Sequence, residues 1–181
     1  MGLYTYENNA VMRFIMRVFV YIAVVISAAW FFVYSFMNQA IVTGNSMSPV
    51  LEAEDMCLIN KLSYDLGNPK RFDVIAFDRQ DTGKQNIKRI VALPGETVQI
   101  LDGTVFVNGE ELENEFTSLI SLPGIADNTV ELSEDEYFVI GDNADSSEDS
   151  RFANIGNVKR SAIIGKLWLI IKPFKRFGKI I

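Results

Sequence analysis

Ser46, in Gly44-Asn45-Ser46-Met47-Ser48-Pro49, and Lys88, in Asn86-Ile87-Lys88-Arg89-Ile90-Val91-Ala92, are the side chains best placed for nucleophilic chemistry in a sequence of 181 residues that has no histidine. A serine nucleophile needs a group that takes its proton, and histidine most often does this. The nitrogen base that remains is a lysine with a lowered pKa. To work near neutrality that pKa must fall from ~10.4 to roughly 7–8, about 4 kcal/mol of differential stabilisation. Burial supplies shifts of that size. Strand alternation puts Lys88 on one face with Ile90 and Ala92. Ile87 and Val91 flank Arg89 on the other face, so alternation leaves open whether Lys88 is buried or a surface lysine on an edge strand. Ser46 alone is equally open. Gly44 permits an unusual turn and Pro49 stiffens the exit, but serine-rich turns are common.

A third segment, Gly141-Asp142-Asn143-Ala144-Asp145-Ser146-Ser147-Glu148-Asp149-Ser150-Arg151, follows the apolar run Tyr137–Ile140 and is too polar for a core. Loops at strand ends often carry function. Its aspartates suggest a calcium loop, but an EF-hand needs a bidentate Glu at its twelfth position, and Phe152 stands there. With one cysteine, no histidine and scattered carboxylates, the sequence offers no metal-ligand cluster and implies no cofactor. Cys57 sits in the apolar run Met56-Cys57-Leu58-Ile59 and reads as a buried structural thiol.

These segments need a scaffold, and the chain supplies a tether before it. Residues 18–37 hold no charge over 20 positions, the length that crosses a bilayer as a helix. Tyr21, Trp30, Tyr34 and Phe36 supply interfacial aromatics, and Arg13 and Arg17 precede the run. The expectation is a cytoplasmic N-terminus at 1–17, a transmembrane anchor at 18–37 and an extracytoplasmic domain at 38–181. A cleavable secretory signal has a shorter apolar region, of ~7–15 residues.

Of 23 acidic residues, 22 lie between Glu52 and Asp149, whereas the chain from Arg151 onward has eight Lys or Arg and no acid. The acidic middle argues against nucleic acid as a partner. The basic, aromatic end reads as a last core strand, Ile163–Ile171, and then a tail that is either solvated or laid against anionic headgroups.

Beyond residue 37 the pattern is of short β segments: Met56–Asn60, Asp73–Phe77, Ile87–Ala92, Thr97–Leu101, Thr104–Val107, Tyr137–Ile140 and Ile163–Ile171. Asp102-Gly103 and Asn108-Gly109 mark hairpin turns. Residues 110–136 read as an acidic surface excursion. The fold class is mostly β, in a single domain.

Ser46-Met47-Ser48-Pro49, Arg71-Phe72-Asp73-Val74-Ile75-Ala76-Phe77, Lys88-Arg89-Ile90-Val91-Ala92-Leu93-Pro94-Gly95-Glu96 and Gly141-Asp142-Asn143 through Asp149-Ser150-Arg151, in this order, resemble type I signal peptidases of the short Gram-positive kind. The resemblance runs from the apolar span to about Leu169. It implies a signal-peptidase-like β domain and a membrane-anchored serine endopeptidase that removes signal peptides from exported precursor proteins. Ser46 would be the nucleophile and Lys88 the neutral general base. Ser147 would help orient the lysine, and Asp149 and Arg151 would form a structural ion pair. Val42, Met47, Leu51 and Ile87 would line pockets for small side chains at −1 and −3 of an extended substrate. Gly44 replaces a serine that donates to the oxyanion in many members, Phe72 stands where glycine is usual, and Ala144 where arginine is frequent.

The implied partners are signal-peptide-bearing precursors and a lipid bilayer, with the catalytic domain extracellular and the protein monomeric. The competing reading is a non-catalytic, membrane-tethered β domain that binds extended polypeptides, which would not need both Ser46 and Lys88.

Overall fold

The computed structural model describes residues 4–79, 82–113 and 119–180. The chain divides into two compact units, residues 1–37 and 38–181.

The first unit is one helix, α1 (Tyr4–Phe36). It begins well before the predicted span, because no Gly or Pro interrupts residues 4–36 and the basic residues Arg13 and Arg17 are good helix formers. Within it Ala10–Phe31 is long and apolar enough to cross a membrane, by length and composition. Met37 opens strand β1 (Met37–Ile41).

The second unit is built on two sheets. The larger has eight strands in the order β1-β2-β11-β3-β4-β9-β10, with β12 paired to β11. Its members are β1, β2 (Met56–Asn60), β3 (Val74–Asp78), β4 (Gln85–Ala92), β9 (Glu136–Ile140), β10 (Val158–Lys159), β11 (Ile163–Lys172) and β12 (Gly178–Lys179). The smaller has the order β7-β6-β5-β8, from β5 (Thr97–Leu101), β6 (Thr104–Val107), β7 (Glu110–Glu111) and β8 (Val130–Glu131). The two predicted hairpins are present. Asp102 and Gly103 have φ of 49° and 81°, and Asn108 and Gly109 of 53° and 80°, the positive pairs that two-residue turns require.

The predicted surface excursion is exposed along most of its described length, and three buried side chains pin it to the core. Ile120, Ala126 and Leu132 join Val98, Ile100 and Phe138 in one core cluster, and β8 adds a strand beside β5. Residues 114–118 of that stretch lie outside the described residues.

β4 is the strand that positions the chemistry. From Lys88 to Ala92 every residue is buried, because both faces of the sheet are covered there. Val91 and Ala92 enter one cluster, Ile90 another, and Ile87 packs on a third with Val42, Met47 and Leu51. That double cover is why alternation could not pick a core face. Cys57 is fully buried, and desolvation pushes its thiol up to about 12, as an inert packing group.

Two ion pairs fasten the connections around β3 and β4. Arg71 bonds Glu96 at 2.6 Å and the Val91 carbonyl at 2.6 Å. Asp73 accepts from the Tyr64 hydroxyl at 2.8 Å and pairs with Lys166. Phe72, between them, has φ 70°, a conformation glycine adopts freely and a bulky L-residue reaches at about 1–2 kcal/mol. The turn is kept with phenylalanine in it, and the Phe72 carbonyl accepts from Arg89 Nη1 at 2.8 Å.

Candidate active site

Ser46 lies in the loop between β1 and β2, and Lys88 points from the middle of β4 into the same place. Lys88 Nζ is 2.8 Å from Ser46 Oγ, across 42 residues of sequence. The lysine is 4% exposed. Loss of hydration is the largest influence on its amine and lowers it from 10.5 to about 8. Arg79 and Arg151 push in the same direction, while Asp149 and Glu148 oppose them. A half-buried serine hydroxyl thus faces an amine that exchanges its proton close to neutrality.

The loop after β9 closes the site from the other side. Arg89, next to Lys88, makes a bidentate pair with Asp142, both bonds 2.7 Å and both side chains buried. That pair fixes the backbone of the loop, and Asn143 N–H donates to the Ser46 carbonyl at 3.0 Å. Among the described residues, no acceptor takes the Ser46 N–H, which leaves it available beside the hydroxyl.

Asp149 and Arg151 form a buried pair, Nε to Oδ1 at 2.7 Å and Nη2 to Oδ2 at 3.0 Å. Ser147 is also buried, but its hydroxyl donates to Asp149 Oδ2 at 2.7 Å, and the Lys88 amine bonds Ser46. Asp149 Oδ2 further accepts from Gly141 N–H at 3.0 Å. Arg151 Nη2 donates to the carbonyls of Ala144 at 2.6 Å and Ser147 at 3.2 Å. Ala144 itself is 2% exposed and packs in the core.

A cleft of about 60 Å³ runs beside the pair, between Ile41–Thr43 and Gln85–Ile87, with Ser46, Met47 and Lys88 along it. Val42, Met47 and Ile87 therefore line it. Leu51 does not; it is fully buried beneath, in the cluster that holds Val42 and Met47. β9 pairs with β4 only at Arg89, Ile90 and Ala92, so the Gln85–Lys88 edge opposite β3 has no strand partner among the described residues.

Sequence reasoning did not isolate Gly141. A Cβ there would lie 2.4 Å from the Ser46 carbonyl and 2.3 Å from Ser147 Oγ. Gly44 is the contrast: φ is 85°, but a Cβ meets nothing within 4 Å. Gly141→Ala is therefore expected to displace the Ser46 loop and lower turnover by about a hundredfold. Gly44→Ala should cost only about 1 kcal/mol of stability. Thermal melts and turnover on both variants check this.

Residues 12–172 match the family described as signal peptidase, peptidase S26. The chain is 35% identical over 147 residues to a signal peptidase I of Leptolyngbya laminosa, covering 77% of this chain and 70% of that protein. It is 33% identical over 167 residues to a signal peptidase I of Bacillus caldolyticus, covering 85% and 88%. A solved signal peptidase I of Enterococcus faecalis V583 matches at 32% identity and TM-score 0.46, over 56% of this chain and 97% of that one. With nearly its whole β unit and most of α1 inside the matched stretch, the chain belongs to the signal peptidase family, peptidase S26.

Proposed function

We propose that this protein is a membrane-anchored serine endopeptidase that cleaves signal peptides from exported precursors through a Ser46–Lys88 dyad. The observation that carries the reading is the 2.8 Å approach of a buried lysine amine to the Ser46 hydroxyl. Burial keeps a useful fraction of that amine neutral at physiological pH.

With Lys88 neutral, the Ser46 hydroxyl donates to Nζ, and Oγ attacks the scissile carbonyl carbon as the proton moves to the amine. The free Ser46 N–H receives the oxyanion. As the C–N bond breaks, the Lys88 ammonium protonates the departing amine. A water then gives its proton to Lys88 and attacks the Ser46 ester, releasing the new carboxylate and restoring the dyad.

The substrate lies extended along the unpaired Gln85–Lys88 edge of β4, a β-augmentation mode, with small side chains entering the cleft beside Val42, Met47 and Ile87. Ser147 acts on Lys88 through Asp149, whose carboxylate it bonds. α1 is the anchor, with the positive end cytoplasmic and the β unit outside.

The test is a pH profile of kcat/KM on a reconstituted precursor carrying an Ala-x-Ala site. Activity should rise with pH through an apparent pKa of about 8 and then level off, because neutral Lys88 is the active form. A chelator should leave the profile unchanged. A rate that is flat across that range, or that falls as pH rises through it, would contradict a lysine base.

A further inference from the structure

Arg176 is 130 residues beyond Ser46 in sequence, yet it grips the loop that carries it. The register of β11 on β2 sets Lys172 opposite Met56, so the chain leaving β11 emerges beside Asp55. A single turn, Phe174–Arg176, then returns the guanidinium onto that loop. Arg176 Nε lies 3.2 and 3.1 Å from the two Asp55 carboxylate oxygens, and that carboxylate is buried. Nη1 pairs with Glu52 at 3.1 Å. Nη2 donates to the Val50 carbonyl at 3.0 Å and the Pro49 carbonyl at 3.4 Å.

The position of Arg176 is fixed from both sides. β11 precedes it, and β12 after it pairs back to β11 at Leu169 and Ile170. Ile180 N–H donates to the Trp168 carbonyl at 3.0 Å, and its side chain is buried in the cluster with Val42, Met47 and Leu51. Backbone ties hold the two ends of the loop. Val42 N–H donates to the Asp55 carbonyl and Glu54 N–H to the Val42 carbonyl, both at 2.9 Å, and Asn143 N–H holds the Ser46 carbonyl. Within the limb Leu51 N–H donates to the Met47 carbonyl at 2.8 Å and Glu52 N–H to Asp55 Oδ2 at 2.9 Å, and Arg176 ties its two ends, Pro49–Val50 and Asp55, to each other from outside.

We infer that Arg176 is a positioning residue for catalysis: its guanidinium holds the Pro49–Asp55 limb of the nucleophile loop and thereby aims Ser46 Oγ at Lys88 and the scissile carbonyl. This rests on the reading of Ser46 as the nucleophile. A merely structural Arg176 would serve as counter-charge to buried Asp55. The two roles separate, because the guanidinium has carboxylate acceptors and carbonyl acceptors.

The experiment uses the full chain in detergent micelles and a precursor with an Ala-x-Ala site, assayed well below each variant's melting point. Arg176→Met should lower kcat about tenfold or more, with KM changing far less, since the Ile41–Thr43 and Gln85–Ile87 walls of the cleft lie outside the limb. Asp55→Asn keeps the carbonyl contacts and should keep most of kcat. Asp55→Asn/Arg176→Met removes the buried-charge problem, so its melting point should recover relative to Arg176→Met while kcat stays low. Arg176→Lys, a point charge without the fork, should melt near wild type with kcat still reduced. Recovery of kcat together with the melting point in the double variant would overturn the inference, as would a wild-type kcat in Arg176→Met. Should Arg176→Met not fold, the double variant against Asp55→Asn makes the same comparison. Ser46→Ala, run alongside, separates the failures: cleavage surviving there would bring down the nucleophile reading itself.

Discussion

Replacing Lys88 with methionine should make the protein more stable at pH 7 and cut its activity by orders of magnitude. The amine is 4% exposed and lowered from 10.5 to about 8. Between those values the unfolded chain holds a proton that the folded chain has released. Unfolding free energy therefore rises with pH across that window, by about 3 kcal/mol for this one group, and below pH about 8 that contribution is missing. Methionine fills a similar volume with no charge to desolvate. Lys88→Met should thus gain about 3 kcal/mol over wild type at neutral pH, and the difference should close as pH approaches 10.5. Denaturant unfolding of both proteins as a function of pH reads this directly. Turnover should fall roughly 10²–10⁴-fold, the usual contribution of a positioned general base. Opposite signs for stability and activity are the signature of a residue kept for chemistry.

Arg151→Met should be the most damaging single change to the fold around the site. Asp149 and Arg151 are 0% and 1% exposed, so removing the guanidinium leaves a buried carboxylate without its counter-charge, at about 3–5 kcal/mol. The carbonyls of Leu122, Ala144 and Ser147 lose their donor as well. A second consequence is electrostatic. Arg151 lowers the Lys88 pKa and Asp149 raises it, so the variant that still folds should show its acid limb moved to higher pH. Asp149→Asn/Arg151→Met should recover much of the stability and return the limb toward lower pH. Melting curves and pH profiles of the three proteins decide the matter.

What was legible in the sequence was what is local. The strands Met56–Asn60, Thr97–Leu101 and Thr104–Val107 stand where the alternation put them, and the Asp-Gly and Asn-Gly turns have the positive φ those residues tolerate. Strand β1 was missed because Met37–Ile41 directly continues an apolar helix and has no alternation of its own. The β7, β8, β10 and β12 strands are two residues each, too short to carry a period. The burial of Lys88 was open because β4 is covered on both faces, which erases the alternation that would have marked one.

The site was legible as a set of segments and not as a set of contacts. Ser46, Lys88, Ser147, Asp149 and Arg151 stood out by motif, but the Arg89–Asp142 pair joins residues 53 apart and the Arg176–Asp55 pair residues 121 apart. No local pattern encodes such a distance. Gly141 gave no signal beyond its place after a strand; its role comes from the Ser46 carbonyl that passes where a side chain would be.

The most direct test of the serine–lysine account is cleavage of a membrane-reconstituted precursor with an Ala-x-Ala site, followed by mass spectrometry of the products. Wild-type protein should cut after the second alanine, and folded Ser46→Ala should release no product at any pH. Cleavage at the same bond by Ser46→Ala, or intact precursor with wild type under every condition, would contradict it.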